Sequence, residues 1–193
     1  MTTNTSEDSA VKIDKWDIID SIINIELEMF LDVKTREEDG NAQCQQEPDT
    51  FKIMRWMSHS VLSEGTLKSY LEDLIAAKIA DRNLMTEKYA LMENLIPHPE
   101  ENQIIAKIAE IELDWMNELR PKYPNLLQEN SSTFKNYLIC EYETYSDETI
   151  DCLMKDINSA IDKKLNLTEL RYKNLFKRLG YKSLEALEQG CKN

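Results

Sequence analysis

Apolar residues recur at intervals of three and four in segment after segment and nowhere alternate strictly, so the chain is confined to an all-α fold. Trp16, Ile19, Ile22, Ile23, Met29, Phe30 and Val33 share one face of a long helix over 13–33, and a second helix is expected over 51–62. Between them, 37–49 holds Gly40, Asn41, Pro48 and several acids and reads as a long loop carrying Cys44 and Gln45. Thr66 can cap a third helix running to 80, and Asn83 or Thr86 a fourth that stops before Pro97-His98-Pro99. A fifth spans 101–119, and a sixth starts at Ser131 or Ser132 and runs to 145. Ser146 caps a seventh, striped by Ile150, Leu153, Met154, Ile157 and Ile161. Thr168 opens an eighth that Gly180 ends from the C′ position, and Ser183 caps a short turn over 184–188. The expectation is a single-domain bundle of about seven or eight helices over 11–193, behind a disordered tail over 1–10.

Composition then removes whole classes of function. The chain has 193 residues but only four Gly, none closer together than Gly180 and Gly190, so neither a dinucleotide G-x-G-x-x-G loop nor a P-loop can exist. Of its two His, neither lies in H-E-x-x-H or follows a Glu by three, which removes the Glu-x-x-His pairs of ferritin-like di-iron bundles. A net charge of −13 argues against nucleic acid as a partner. The tail is polar and acidic, and no run of 18 apolar residues occurs, so neither signal peptide nor membrane span is expected and the location is cytoplasmic. Cys44, Cys140, Cys152 and Cys191 form no C-x-x-C pair and are expected as free thiols. Residues 163–193 carry eight Lys or Arg against three Glu, either as an arm for an acidic partner or as a solvated face packed near the acidic body.

Pattern and chemistry disagree at three places. At about 100° per residue, Glu26 falls at the centre of the stripe made by Ile19, Ile22, Ile23, Phe30 and Val33. Glu112 falls among Ile105, Ile108, Trp115, Met116 and Leu119, and Glu141 among Phe134, Tyr137, Leu138 and Tyr145. A buried carboxylate must find a cation, a metal or several hydrogen bonds, or take a proton. Arg55, at the edge of the second apolar face beside Ser58, and Lys88, within the fourth, can supply the cations, and Tyr70, Tyr137 and Tyr145 the donors. At least one Glu is expected to titrate above its ordinary value. The cluster can be a polar knot that fixes helix register, or a pocket for a small cationic or polar ligand with a Glu as base, Tyr as donor and Arg55 as anion anchor. It can also be a carboxylate metal centre with His59 as nitrogen ligand; the missing Glu-x-x-His pairs make no metal the expectation. Cys44 with His59 offers a further pair, a thiolate beside an imidazole.

Several segments resemble a known family. Ile25-Glu26-Leu27-Glu28-Met29-Phe30, Cys44-Gln45, Met54-Arg55, Asn83-Leu84-Met85-Thr86-Glu87-Lys88-Tyr89-Ala90, and Tyr137 through Glu141 to Thr144-Tyr145-Ser146 are similar to a bacterial family catalogued as domain of unknown function 4125. The similarity spans most of the chain in order, and E-K-Y-A and E-x-x-T-Y-S are its most distinctive pieces. It implies a shared helical fold and a shared site without naming a reaction or a cofactor. It also adds Gln45, Glu87 and Tyr89 to the candidate residues.

The functional expectation is a small-molecule-binding protein or enzyme. Glu26, Glu141 and Tyr145 would be its reactive groups, with Gln45, Arg55, Glu87, Tyr89, Glu112 and Tyr137 as ligand contacts. Its rivals are a protein-interaction module using the acidic surface or the basic C-terminal segment, and a carboxylate-bridged metalloenzyme.

Overall fold

The computed structural model describes residues 14–33, 47–127 and 131–190. The expected tail over 1–10 and the loop positions Cys44 and Gln45 lie outside the described residues. Among the described residues the chain is all-α, with nine helices and no strand. In order they are α1 Lys15–Leu31, α2 Pro48–His59, α3 Glu64–Ile79, α4 Leu84–Met92, α5 Gln103–Leu119, α6 Ser131–Tyr142, α7 Asp147–Asp162, α8 Leu167–Arg178 and α9 Leu184–Gly190.

Short polar side chains set most of the starts. The N-cap oxygens of Asn83, Asn102, Ser146 and Asn166 accept N–H bonds from Thr86, Ile104, Thr149 and Glu169 at 2.9, 2.9, 3.2 and 2.9 Å. Several boundaries differ from expectation; α2 runs over Pro48–His59 instead of 51–62, with Pro48 opening its first turn. Ser63, not Thr66, caps α3, because Thr66 turns its hydroxyl to Asp156 at 2.7 Å. Asn166, not Thr168, begins α8. The sixth helix stops at Tyr142, and Tyr145 follows in a turn closed by its N–H on the Tyr142 carbonyl at 3.1 Å. Gly180 ends the last full turn of α8 at φ +87°, a conformation that costs a residue with a Cβ.

Helix α1 packs its buried stripe against α2, α3 and α4; α3 continues onto α7, and α5 lies against α6, α7 and α8. The main core runs through Ile19, Ile22, Leu67, Tyr70, Leu74, Leu84, Ile108, Leu138, Ile150, Leu153 and Ile157. A smaller cluster, Met116, Leu119, Tyr123, Leu127 and Leu184, sits under α9, where the Tyr123 hydroxyl donates to Glu185 at 2.7 Å. Trp16 and Ile161 are corrections: both sit at the edges of their stripes and are nearly half exposed, and Trp16 stacks on Trp56 at 5.8 Å instead of entering the core.

Two arginines of the basic C-terminal segment pack onto the rest of the chain. Arg171 of α8 pairs with Glu112 of α5, and the Arg178 guanidinium sits 4.3 Å from the Trp56 ring centre. Among the described residues no helix is long and apolar enough to cross a membrane.

Candidate functional site

All three anomalous carboxylates are buried: Glu26 and Glu112 have no exposed surface, and Glu141 is 6 % exposed. What holds them is ion pairing. Arg55, projecting from α2 between α1 and α6, uses its guanidinium as a two-sided fork. Its Nε and Nη2 donate to Glu26 at 2.8 and 2.5 Å, and its Nη1 and Nη2 donate to Glu141 at 3.1 and 3.0 Å. Lys88 reaches Glu141 from α4 at 2.5 Å, with its ammonium 3.5 Å from the centre of the Tyr137 ring. Hydroxyls complete the shell, Tyr70 donating to Glu26 at 2.9 Å and Tyr145 to Glu141 at 3.0 Å.

Nε2 of His59, one turn after Arg55 on α2, lies 3.1 and 3.2 Å from the two Glu26 oxygens and donates there. It therefore accepts nothing from the Arg55 Nη2, 3.4 Å away, since both atoms carry protons. The other ring nitrogen, Nδ1, is buried without a protein partner. Two carboxylates thus meet the two cations Arg55 and Lys88, and the knot is neutral before His59 is counted.

The electrostatics follow from that pairing. Burial pushes the Glu26 carboxyl up, but Arg55 and His59 outweigh it and hold the group at about 2. Burial likewise opposes ionisation of Glu141, which Arg55 and Lys88 hold well below the usual carboxylate range. The expectation of a Glu with a raised value is corrected for both groups: each carboxylate acquired cations instead of a proton. Burial lowers Lys88, partly offset by Glu141. Burial, then the neighbouring carboxylates, raises Tyr70, Tyr137 and Tyr145, so these hydroxyls stay protonated donors.

Glu112 belongs to a second knot. Arg171 grips both its oxygens, with Nη2 to Oε1 at 2.9 Å and Nη1 closing on Oε2, and the Tyr142 hydroxyl donates to Oε1 at 2.9 Å. Tyr142 and Tyr145 meet edge to face at 5.6 Å and join the two knots. Between them lies a small cavity of about 50 Å³, lined by His59, Tyr70, Glu141, Tyr142, Tyr145 and Arg171 among others. Leu62, Leu138 and Leu153 make much of its lining apolar, while His59, Glu141 and the tyrosines supply polar groups, and it is large enough for water.

Outside this interior, a cleft of about 380 Å³ opens among α2, α5, α6 and α8. Met54, Met57, Met116, Phe134 and Leu138 give it apolar walls, and Arg55, Tyr137, Thr168 and Arg171 supply polar atoms. Two of those atoms, Thr168 Oγ1 and Arg171 Nε, are buried without a protein partner. They lie three residues apart on α8, a spacing that puts both on one face.

The structure brings together Glu26, Arg55, Glu141, Tyr145 and Tyr137, and sets Glu112 in the adjoining knot. It does not bring in Glu87, which pairs with Arg82 at 2.9 and 2.6 Å near the surface. Tyr89 touches the knot at its edge: its ring centre lies 5.8 Å from the Lys88 ammonium and 6.2 Å from the ring of Phe30. Gln45 falls outside the described residues. Arg171 and Tyr142 were missed. Arg171 sits four residues after Leu167 and four before Leu175, on the buried side of α8, a spacing that could have found it.

No curated protein and no solved structure matches this chain. The family described as "Protein of unknown function (DUF4125)" matches residues 16–189, and with nearly the whole fold inside that match, the chain belongs to this family.

Proposed function

We propose that this chain is a cytosolic protein that binds a small molecule in the cleft among α2, α5, α6 and α8. The two ion-paired knots form its rigid floor. One observation carries the proposal: two residues that line the cleft, Thr168 and Arg171, each carry a buried polar atom, Oγ1 and Nε, that the protein itself leaves unpartnered. Buried polar atoms are costly without a partner, so a ligand that displaces the side chains covering them and bonds both regains what folding gave up. The Arg171 Nε carries a proton and the Thr168 hydroxyl can donate, so the matching group is an acceptor such as a carbonyl or carboxylate. The methionine, leucine and phenylalanine walls fit an apolar body, and 380 Å³ lies in the range of small-molecule pockets.

This reading favours an acceptor-headed ligand over a cationic one, because the carboxylates that would attract a cation are saturated by Arg55, Lys88 and Arg171. It also recasts Glu26 and Glu141 as positioning residues for Arg55. Neither lines the cleft, whereas Arg55 and Tyr137 do.

Anilinonaphthalene sulfonate, an aromatic body with an anionic head, tests the proposal. Folded protein should bind one equivalent with enhanced fluorescence. Ser58→Phe, which fills the cleft from a half-buried wall position, should weaken binding roughly tenfold, on the order of 1.4 kcal/mol. Thr168→Val should weaken it severalfold while the melting temperature rises, since the variant removes an unpartnered buried hydroxyl. Unaltered affinity in both variants would end the cleft hypothesis.

A further inference from the structure

A second group of ligating side chains lies apart from the cleft. His98 stands in the segment joining α4 to α5, fixed between Pro97 and Pro99, whose rings restrict the backbone on both sides. Its Nδ1 meets Glu143 Oε2 at 2.7 Å. Glu143 continues the last turn of α6, its N–H bonded to the Ile139 carbonyl at 2.9 Å, so it shares a face with Cys140 three residues earlier. One ligand atom from each of His98, Cys140 and Glu143 falls within 4.8 Å of the other two.

We propose that His98, Cys140 and Glu143 form a binding site for a zinc-like divalent ion that clips the α4–α5 connection to the end of α6. The donor set is mixed nitrogen, sulfur and oxygen, which suits a borderline-soft ion and suits calcium or magnesium poorly. Tetrahedral zinc with bonds of about 2.0–2.3 Å separates its ligands by roughly 3.3–3.7 Å. The widest pair therefore closes by up to about 1 Å and the His98–Glu143 pair opens slightly, both within reach of a side chain on a connecting segment. The His98 side chain is 39 % exposed, so the fourth position faces solvent and takes a water.

Charge agrees as well as geometry. On binding, the Zn–S bond forms as the Cys140 S–H bond breaks and its proton passes to solvent, while the His98 Nδ1 gives up the proton it shares with Glu143 and the neutral imidazole keeps one on Nε2. Thiolate and carboxylate together neutralise the dication, leaving a site without net charge. Nucleophilic use of the thiol is disfavoured, since Cys140 has no exposed surface. Its weak contact with Asn136 Oδ1 at 3.9 Å leaves the sulfur available to a metal. None of the three residues lines the cleft, so this site stands or falls independently of the proposed ligand.

The test is a cobalt titration of the full chain after chelator treatment. One equivalent of Co²⁺ should raise a thiolate-to-cobalt charge-transfer band in the near ultraviolet, and Zn²⁺ should displace it. Cys140→Ser should abolish the band, and His98→Ala should weaken affinity roughly tenfold or more. Should the buried Cys140→Ser variant misfold, His98→Ala decides alone, because its side chain is partly exposed on a connecting segment. No band at millimolar cobalt, or a band of unchanged affinity in His98→Ala, would overturn the proposal.

Discussion

Arg55 shows how one side chain can decide whether a core holds. Its fork gives two bonds each to Glu26 and Glu141, carboxylates from two helices that would otherwise face each other without water. Arg55→Ala leaves Glu26 with only His59 and Tyr70 and Glu141 with only Lys88 and Tyr145, and is expected to cost about 3–5 kcal/mol in urea unfolding. A milder loss in Arg55→Lys would show that charge alone serves, whereas an equal loss would assign the cost to the bidentate geometry. The Glu positions were legible because a lone acid in the centre of an apolar stripe has few explanations. Lys88 was legible on the same logic, within the apolar face of α4. Arg171 was not, because α8 is polar over most of its length and Lys173, Lys177 and Arg178 surround it in sequence. Glu87 and Tyr89 entered through family resemblance, which marks positions without giving them partners; the structure pairs Glu87 with Arg82 away from the knots and sets the Tyr89 ring beside the Lys88 ammonium.

Helix boundaries were readable wherever one residue could cap and its neighbours could not. Ser146 is such a case: its hydroxyl accepts the Thr149 N–H, and Asp147 and Glu148 add acid to the first turn. Ser146→Ala should lower stability by about 1 kcal/mol. The same change at Glu148, which makes no cap bond, should cost only a few tenths; equal effects would remove the capping explanation. The start of α3 was misread because Ser63 and Thr66 are both competent caps three residues apart, and only the Asp156 carboxylate, 90 residues on, separates their roles. Gly180 was readable for a different reason. Its φ of +87° is strained for any residue with a Cβ, although nothing lies within 4 Å of where one would be. Gly180→Ala should therefore cost about 1 kcal/mol through backbone strain alone, and Gly180→Asn distinctly less, since asparagine tolerates this region. Equal melting temperatures for wild type and Gly180→Ala would show that the turn relaxes.

The molecule keeps its two kinds of charge in separate places. Inside, Glu26, Glu112 and Glu141 meet Arg55, Lys88 and Arg171 and cancel, so the net charge of −13 is carried outside the knots. The two populations should answer differently to the solvent. Exposed acids repel one another, and raising salt at pH 7 should screen them and raise the melting temperature, while the buried pairs are screened much less. Acid acts on the interior in the opposite sense. Glu26 has a folded value of about 2, below the unfolded carboxyl value of about 4.3, so the folded state holds this group ionised where the unfolded chain has begun to bind protons. Its contribution, on the order of 3 kcal/mol, is complete above about pH 4.5 and is lost as pH falls through about 2. Glu141, held low by Arg55 and Lys88, adds in the same direction. Stability measured by urea unfolding should therefore fall steeply between about pH 4.5 and pH 2. Glu26→Gln has no proton to gain there, so the variant should be less stable at pH 7 yet lose less on acidification, its curve approaching that of wild type near pH 2. Parallel curves for the two proteins would mean that the acid limb belongs to surface carboxylates and that the buried knot does not govern how this fold responds to pH.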